Sequence, residues 1–149
     1  MQVYHWTFLA QPSPMPENLI GRNPSGFLEH TLASWTASKD LKCFSAGALA
    51  HYRAFFADTS RIAACCEDYR AGATLDPEQD EADQKAGKTI ACPVMVLWGD
   101  AGIPAQGLSP LDLWRASFAP GATGQAIHCG HFLPEENPAE TLEALQKFF

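Results

Sequence analysis

The run Pro93-Val94-Met95-Val96-Leu97-Trp98-Gly99 restricts the fold more than any other stretch of this chain. Continuous apolar sequence without alternation suits a strand buried on both faces of a parallel sheet. A parallel neighbour requires a crossover, and the residues that follow supply one. Ser109-Pro110 caps a helix carrying Leu111, Leu113, Trp114 and Phe118, and Gly124 to Cys129 reads as the next short strand. This is a β-α-β unit with the loops after Trp98 and after Cys129 at the same edge of the sheet. Two parallel strands do not make a stable sheet alone, so the rest of the sheet is expected to lie outside this sequence.

The second strand leads into the stretch Ile127-His128-Cys129-Gly130-His131-Phe132-Leu133-Pro134-Glu135-Glu136-Asn137-Pro138. Asn137 is a good N-cap, Pro138 suits the first helical position, and Glu140 completes a capping-box-like pattern. Leu142, Leu145 and Phe148 then recur on one helical face. His131 therefore falls on a strand-to-helix loop, beside a glycine that leaves room for close approach. Loops at strand ends are where α/β enzymes keep catalytic groups. His128 and His131, with Cys129 between them, have no third ligand at suitable spacing, so no metal is expected.

Upstream, residues 1 to about 88 are helical in pattern. The segment from Met1 to Leu9 is aromatic and apolar with no leading polar turn, as though the chain started inside an element. It has no basic region and no small-residue cleavage site, so it is not expected to be a signal peptide. The prolines of Gln11-Pro12-Ser13-Pro14-Met15-Pro16 predict a loop. Helices are expected from Asn23-Pro24 through Trp35, from Ser45 through Ala57, and from Thr59 to near Gly72. Asp76-Pro77 should cap an acidic helix whose charge order, from Glu78 to Lys85 and Lys88, matches the helix dipole and marks a solvated face. His30 and His51 lie on helical patterns and are expected to be structural or exposed.

Bulk properties narrow the class. With 149 residues, 46% hydrophobic and 18% charged, the chain is one globular domain's worth of sequence rather than a disordered segment. A net charge of −7 with only 10 Lys+Arg disfavours nucleic acid and anionic membranes as partners. The longest apolar run is far too short to span a bilayer. Five cysteines, with Cys65 and Cys66 adjacent, suit reduced thiols and a cytoplasmic location better than a disulfide framework. No Gly-rich phosphate loop and no nucleophile elbow of the G-x-S-x-G kind is present.

Leu97-Trp98-Gly99 followed by Gly130-His131-Phe132-Leu133-Pro134-Glu135-Glu136 resembles the C-terminal third of an α/β-hydrolase. Tyr4-His5-Trp6 with Leu9-Ala10-Gln11-Pro12, then Ala33-Ser34-Trp35-Thr36, then Cys66-Glu67-Asp68-Tyr69-Arg70-Ala71-Gly72 resemble the cap of fluoroacetate (haloacetate) dehalogenases. The resemblance implies an α/β architecture: a helical cap over residues 1–75, then part of the hydrolase core over 76–149, with two parallel strands and flanking helices. It also implies that the N-terminal half of the fold is not in this sequence.

In that family an aspartate displaces the halide to give an ester, and a histidine activates the water that cleaves it. His131 matches the histidine. His5, Trp6 and Tyr69 match the halide-holding trio, whose imidazole N–H, indole N–H and phenol O–H are the donors a departing fluoride needs. Trp35 matches a tryptophan that shapes the small-substrate pocket. No cofactor is implied, the substrate is a small haloacid, and a homodimer is compatible. Asp100 follows the first strand but is not expected to be the acid that orients His131, because the family places that acid upstream of the cap. The nucleophile, that acid and the carboxylate-holding arginines have no counterpart here. Two alternatives stay open: an epoxide hydrolase, which uses cap tyrosines as acids, and a non-catalytic remnant or binding module that keeps the helical cap.

Overall fold

The computed structural model describes residues 4–102 and 109–149. The first three residues of the apolar N-terminal segment therefore lie outside the described residues; from Tyr4 the segment is helical. Helix α1 spans Tyr4–Leu9, α2 Met15–Ile20, α3 Pro24–Trp35, α4 Ala46–Phe56, α5 Thr59–Ala73 and α6 Leu75–Lys85. Local chemistry sets most of these boundaries. The Asn23 carboxamide accepts from the Gly26 N–H at 3.0 Å with Pro24 opening α3. The Ser45 hydroxyl accepts from Ala48 N–H at 3.1 Å to start α4, and the Asp58 carboxylate accepts from Ser60 N–H at 2.8 Å to start α5.

Two boundaries differ from expectation. The proline-rich stretch breaks the helix after Leu9, but α2 resumes at Met15 with Pro16 in its first turn, where a proline costs no hydrogen bond. Helix α6 begins at Leu75 rather than behind an Asp76 cap, which puts Pro77 in the first turn and Asp76 and Glu78 near the positive end of the dipole.

Strands β1 (Met95–Gly99) and β2 (Thr123–Ile127) pair in parallel, from Met95 opposite Thr123 to Gly99 opposite Ile127. Helix α7, Pro110–Ser117, connects them and packs against both, capped by the Ser109 hydroxyl accepting from Asp112 N–H at 3.1 Å. Residues 94–98 are half-buried and only Gly99 is buried, so the expectation of a strand covered on both faces is corrected. Burial on both faces needs layers on both sides of a sheet, and among the described residues this sheet has two strands. A four-residue helix α8, Leu133–Glu136, intervenes before α9, Pro138–Phe148, and was not anticipated. Asn137 caps α9 as expected, accepting from Glu140 N–H at 3.3 Å.

Contacts divide the chain into two units, one of Met1–His30 with Ser45–Asp83, the other of Thr31–Phe44 with Gln84–Phe149. The division is discontinuous. The first unit is built on α5, against which α1, α2 and α4 pack. Its core is Leu9, Ile20, Ile62 and Cys66, flanked by Phe8, Phe27, Phe56 and Tyr69. The second unit has its core at Ile127, Cys129 and Ala144, with Leu97 and Leu133 against it. Among the described residues no helix is long and apolar enough to cross a membrane.

Candidate active site

Beyond β2 the parallel ladder continues into the loops. Asp100 N–H donates to the Ile127 carbonyl and Ala101 N–H to the Cys129 carbonyl, both at 3.0 Å. Gly99 is needed here because a Cβ would run into the Gly130 carbonyl. Gly130 is needed for the same kind of reason: its open face lies on the backbone of Trp35, Thr36 and Ala37. The next residue, His131, donates its backbone N–H to the Trp35 carbonyl at 3.0 Å.

Aromatic rings surround the histidine. Trp35 meets the His131 imidazole at 5.0 Å between centroids and 67°, and stacks on Phe132 at 6.1 Å and 22°. Phe44 closes on Phe132 edge-first at 5.2 Å. The imidazole itself is exposed. A fixed backbone under an accessible ring is the geometry a proton acceptor needs. The loop is also held by Glu136, whose Oε2 accepts from Ala37 N–H (2.7 Å) and Gly130 N–H (3.0 Å) and whose Oε1 accepts from Phe132 N–H (3.0 Å).

His128 and Asp100 form a separate pair at the same strand edge, with Nδ1 and Oδ2 2.8 Å apart. That hydrogen bond raises the His128 pKa above its ordinary value and lowers that of Asp100. Both side chains are well exposed. Asp100 thus serves His128. Among the described residues no group of three or more His, Cys, Asp or Glu is placed to hold a metal.

His5, Trp6 and Tyr69 come together in the first unit, on α1 and α5. His5 is 4% exposed, and its ring meets Tyr69 edge-on at 5.7 Å and Trp6 edge-on at 6.2 Å. Trp6 is 54% exposed, so its indole is open on one side. Burial, and then the neighbouring Cys65 and Asp68, push the Tyr69 phenol up, which keeps its O–H as a donor. Arg70, the next residue, ties α5 to the end of α1 and to α2: Nε donates to the Gln11 carbonyl and Nη2 to Glu17 Oε1, both at 2.8 Å. Burial is the largest single influence on Glu17 and pushes it up, but the Arg70 hydrogen bond and charge together with further hydrogen bonds outweigh it, and the net shift is down. Trp35 and His131 belong to the second unit. His30 and His51 are exposed.

Sequence reasoning did not assign roles to Glu136 or Arg70. Arg70 stands inside a cap motif, and Glu136 inside the G-H-F-L-P-E-E run, but the bonds from Arg70 to Gln11 and Glu17 and from Glu136 to Ala37 span long separations that no local spacing marks.

Two parallel strands joined by a helix, with a histidine on the loop beyond the second strand, define a portion of the α/β-hydrolase fold. No protein-family model matches it. The chain is 34% identical over 145 residues to a protein of Burkholderia sp named Fluoroacetate dehalogenase, covering 97% of this chain and 46% of that protein. Among solved structures, an α/β-hydrolase candidate from Nostoc sp PCC 7120 superposes with a TM-score of 0.90 at 48% identity, over 99% of this chain and 49% of that one. An epoxide-hydrolase candidate from Pseudomonas aeruginosa gives 0.89 at 41% identity, over 99% of this chain and 48% of that one. The chain therefore spans about half the length of the relatives it matches.

Proposed function

We propose that this chain supplies the water-activating histidine and the halide-holding residues of a hydrolytic dehalogenase that acts on small haloacids such as fluoroacetate. The observation that carries the reading is the 34% identity to the Burkholderia fluoroacetate dehalogenase along nearly the whole chain, His131 loop included. In this reading a carboxylate nucleophile, which has no counterpart in this sequence, attacks the carbon bearing the halogen. An ester forms and the halide leaves with the bonding electron pair. His131 then takes a proton from water and the hydroxide adds to the ester carbonyl; the bond from that carbonyl carbon to the glycolate oxygen breaks as that oxygen takes the proton back from the imidazolium, and the freed carboxyl gives its own proton to solvent. An imidazole ring nitrogen with a free lone pair is an acceptor suited to that proton transfer.

His5, Trp6 and Tyr69 would hold the leaving halide with three N–H or O–H donors. A strongly hydrated fluoride needs such replacement for its water. The protonated Tyr69 phenol and the edge-on rings around His5 support this assignment. By itself the 149-residue chain should release no fluoride, since the ester route is closed without the nucleophile. Epoxide opening is the second reading, favoured by the 41% identity to the Pseudomonas protein. It shares the ester step but would need Tyr4 or Tyr69 as the acid on the epoxide oxygen.

The test replaces the matching segment of the Burkholderia enzyme with this chain. The chimera should release fluoride from fluoroacetate, and His131→Asn in it should release one halide per site and then stop. Continued turnover by the Asn variant would remove His131 from its role. A chimera that opens epoxides and leaves fluoroacetate untouched would decide for the second reading.

A further inference from the structure

The carboxylate of Glu136 does more than end α8. Three backbone N–H groups converge on it: Ala37 at 2.7 Å and Gly130 at 3.0 Å on one oxygen, Phe132 at 3.0 Å on the other. Gly130 and Phe132 flank His131, and the N–H of His131 goes to the Trp35 carbonyl at 3.0 Å. The N–H groups of residues 130, 131 and 132 are thus all committed, two of them to one side chain. We propose that Glu136 is the positioning residue of this loop, setting the His131 imidazole against Trp35 from both sides of the histidine. The catalytic sense of the proposal rests on His131 being the base.

The bond pattern separates positioning from helix capping. A carboxylate serving only α8 would bond the N–H groups of the first turn of that helix. Here Phe132 is at the N-cap of α8, but Gly130 precedes the helix and Ala37 lies 99 residues away, two residues beyond Trp35. The carboxylate therefore closes a ring: Glu136 to Ala37, along the backbone to Trp35, across to His131, and back through Phe132. Both components of the ring contact, the imidazole and the indole, are held by that circuit.

The chemistry also selects a carboxylate. Ionised, it only accepts, with about four lone-pair directions for its donors. A glutamine would present one oxygen and an NH2 group, and the NH2 would face an N–H donor. Two thiols lie nearby, Cys129 buried and Cys43 half-buried. Burial first, then the Glu136 charge, push Cys129 to about 11, and the same two causes raise Cys43. A displacement of the imidazole by about 1 Å is enough to cost on the order of 100-fold in a proton transfer.

The experiment uses the 149-residue chain and reads loop position, not turnover. Amide exchange by NMR should show Ala37, Gly130 and Phe132 protected in the parent chain. Glu136→Gln should speed exchange at those three by roughly 10- to 100-fold, the range for losing a charged hydrogen bond. It should also weaken the Trp35–His131 ring contact, while the β1–β2 ladder amides stay as they were. Glu136→Asp keeps the carboxylate on a shorter stem and should fall between the two. Three outcomes overturn the proposal: no protection in the parent, unchanged exchange in the Gln variant, or ladder amides speeding up in the same proportion, which would make Glu136 a general stability residue. Because no arm depends on activity, failure here is distinct from failure of His131 as base, which the Asn variant of the chimera decides.

Discussion

Gly130→Ala puts one methyl group where the fold has no room for it. A Cβ at that position would sit 2.6 Å from the Trp35 carbonyl oxygen and 2.7 Å from the Thr36 carbonyl carbon, and closer still to the Ala37 nitrogen. All three are backbone atoms, so no side-chain rotation relieves the overlap. Forced overpacking costs about 1–3 kcal/mol. Moving the loop away to make space stretches the His131 N–H bond to Trp35, worth about 0.5–1.5 kcal/mol net. Together the variant should lose about 1.5–4.5 kcal/mol. With a urea slope of about 1–3 kcal/mol per molar, the unfolding midpoint of the second unit should drop by on the order of 1 M or more. Gly121→Ala is the control, since nothing lies within 4 Å of the position its Cβ would take. It should change stability by no more than about 0.5 kcal/mol. Urea titration followed by tryptophan fluorescence compares the two variants with the parent. Agreement between Gly130→Ala and Gly121→Ala to within about 0.5 kcal/mol would refute the claim that the loop is pressed onto the Trp35–Ala37 backbone.

Other consequences can be checked separately. The His128–Asp100 pair should stabilise the fold only in a window: the raised His128 pKa makes its share fade as pH rises through the folded value, and the lowered Asp100 pKa makes its share fade as pH falls through its own. An NMR titration of His128 should show its midpoint falling in Asp100→Asn, and an unmoved midpoint would dissolve the pair. Ile62, 1% exposed at the centre of the first core, should cost about 2–5 kcal/mol as Ala, against no more than about 0.5 kcal/mol for Leu75→Ala at 52% exposure; equal urea midpoints would contradict the core assignment. In the dehalogenase chimera, Trp6→Phe should impair fluoride release by about 100-fold or more, as for a lost oxyanion donor, and chloride release much less. Equal losses on fluoroacetate and chloroacetate would reduce Trp6 to a packing residue.

The parts of the fold that could be read from sequence are those set by neighbours along the chain. Ser45, Ser109 and Asn137 each cap the helix that follows, as their types demand, because a cap is a bond across two or three residues. The β-α-β order followed from one apolar run and one capped helix, and the α/β-hydrolase likeness is carried by the comparisons as well. Misreadings arose where two local rules competed. By the proline rule alone Pro16 and Pro77 signal a loop or a cap, yet each sits in a first turn, the one helical place that tolerates it. Burial of β1 could not be read at all, because it depends on how many layers cover the strand and not on its own residues.

The site divides along the same line. His131 is visible in sequence because a glycine before it and a capped helix after it locate the loop, but what keeps it in place is not. Glu136 reaches Ala37 across 99 residues, and Arg70 reaches Glu17 across 53. Neither pair has a period or spacing to give it away, and the second glutamate of Glu135-Glu136 looks like surface charge until the fold turns it inward. The physical sign that could have raised suspicion is the adjacent glycine. A loop that must press its backbone onto another segment buries N–H groups on both, and those groups need an acceptor. Gly130 is a buried donor of that kind, the exposed Ala37 adds a second N–H, and a carboxylate a few residues on is the side chain best able to take several at once. A glycine before a histidine, followed within six residues by a glutamate, is thus better treated as one structural unit than as three separate residues, and the amide-exchange contrast between Glu136→Gln and Glu136→Asp measures whether it behaves as one.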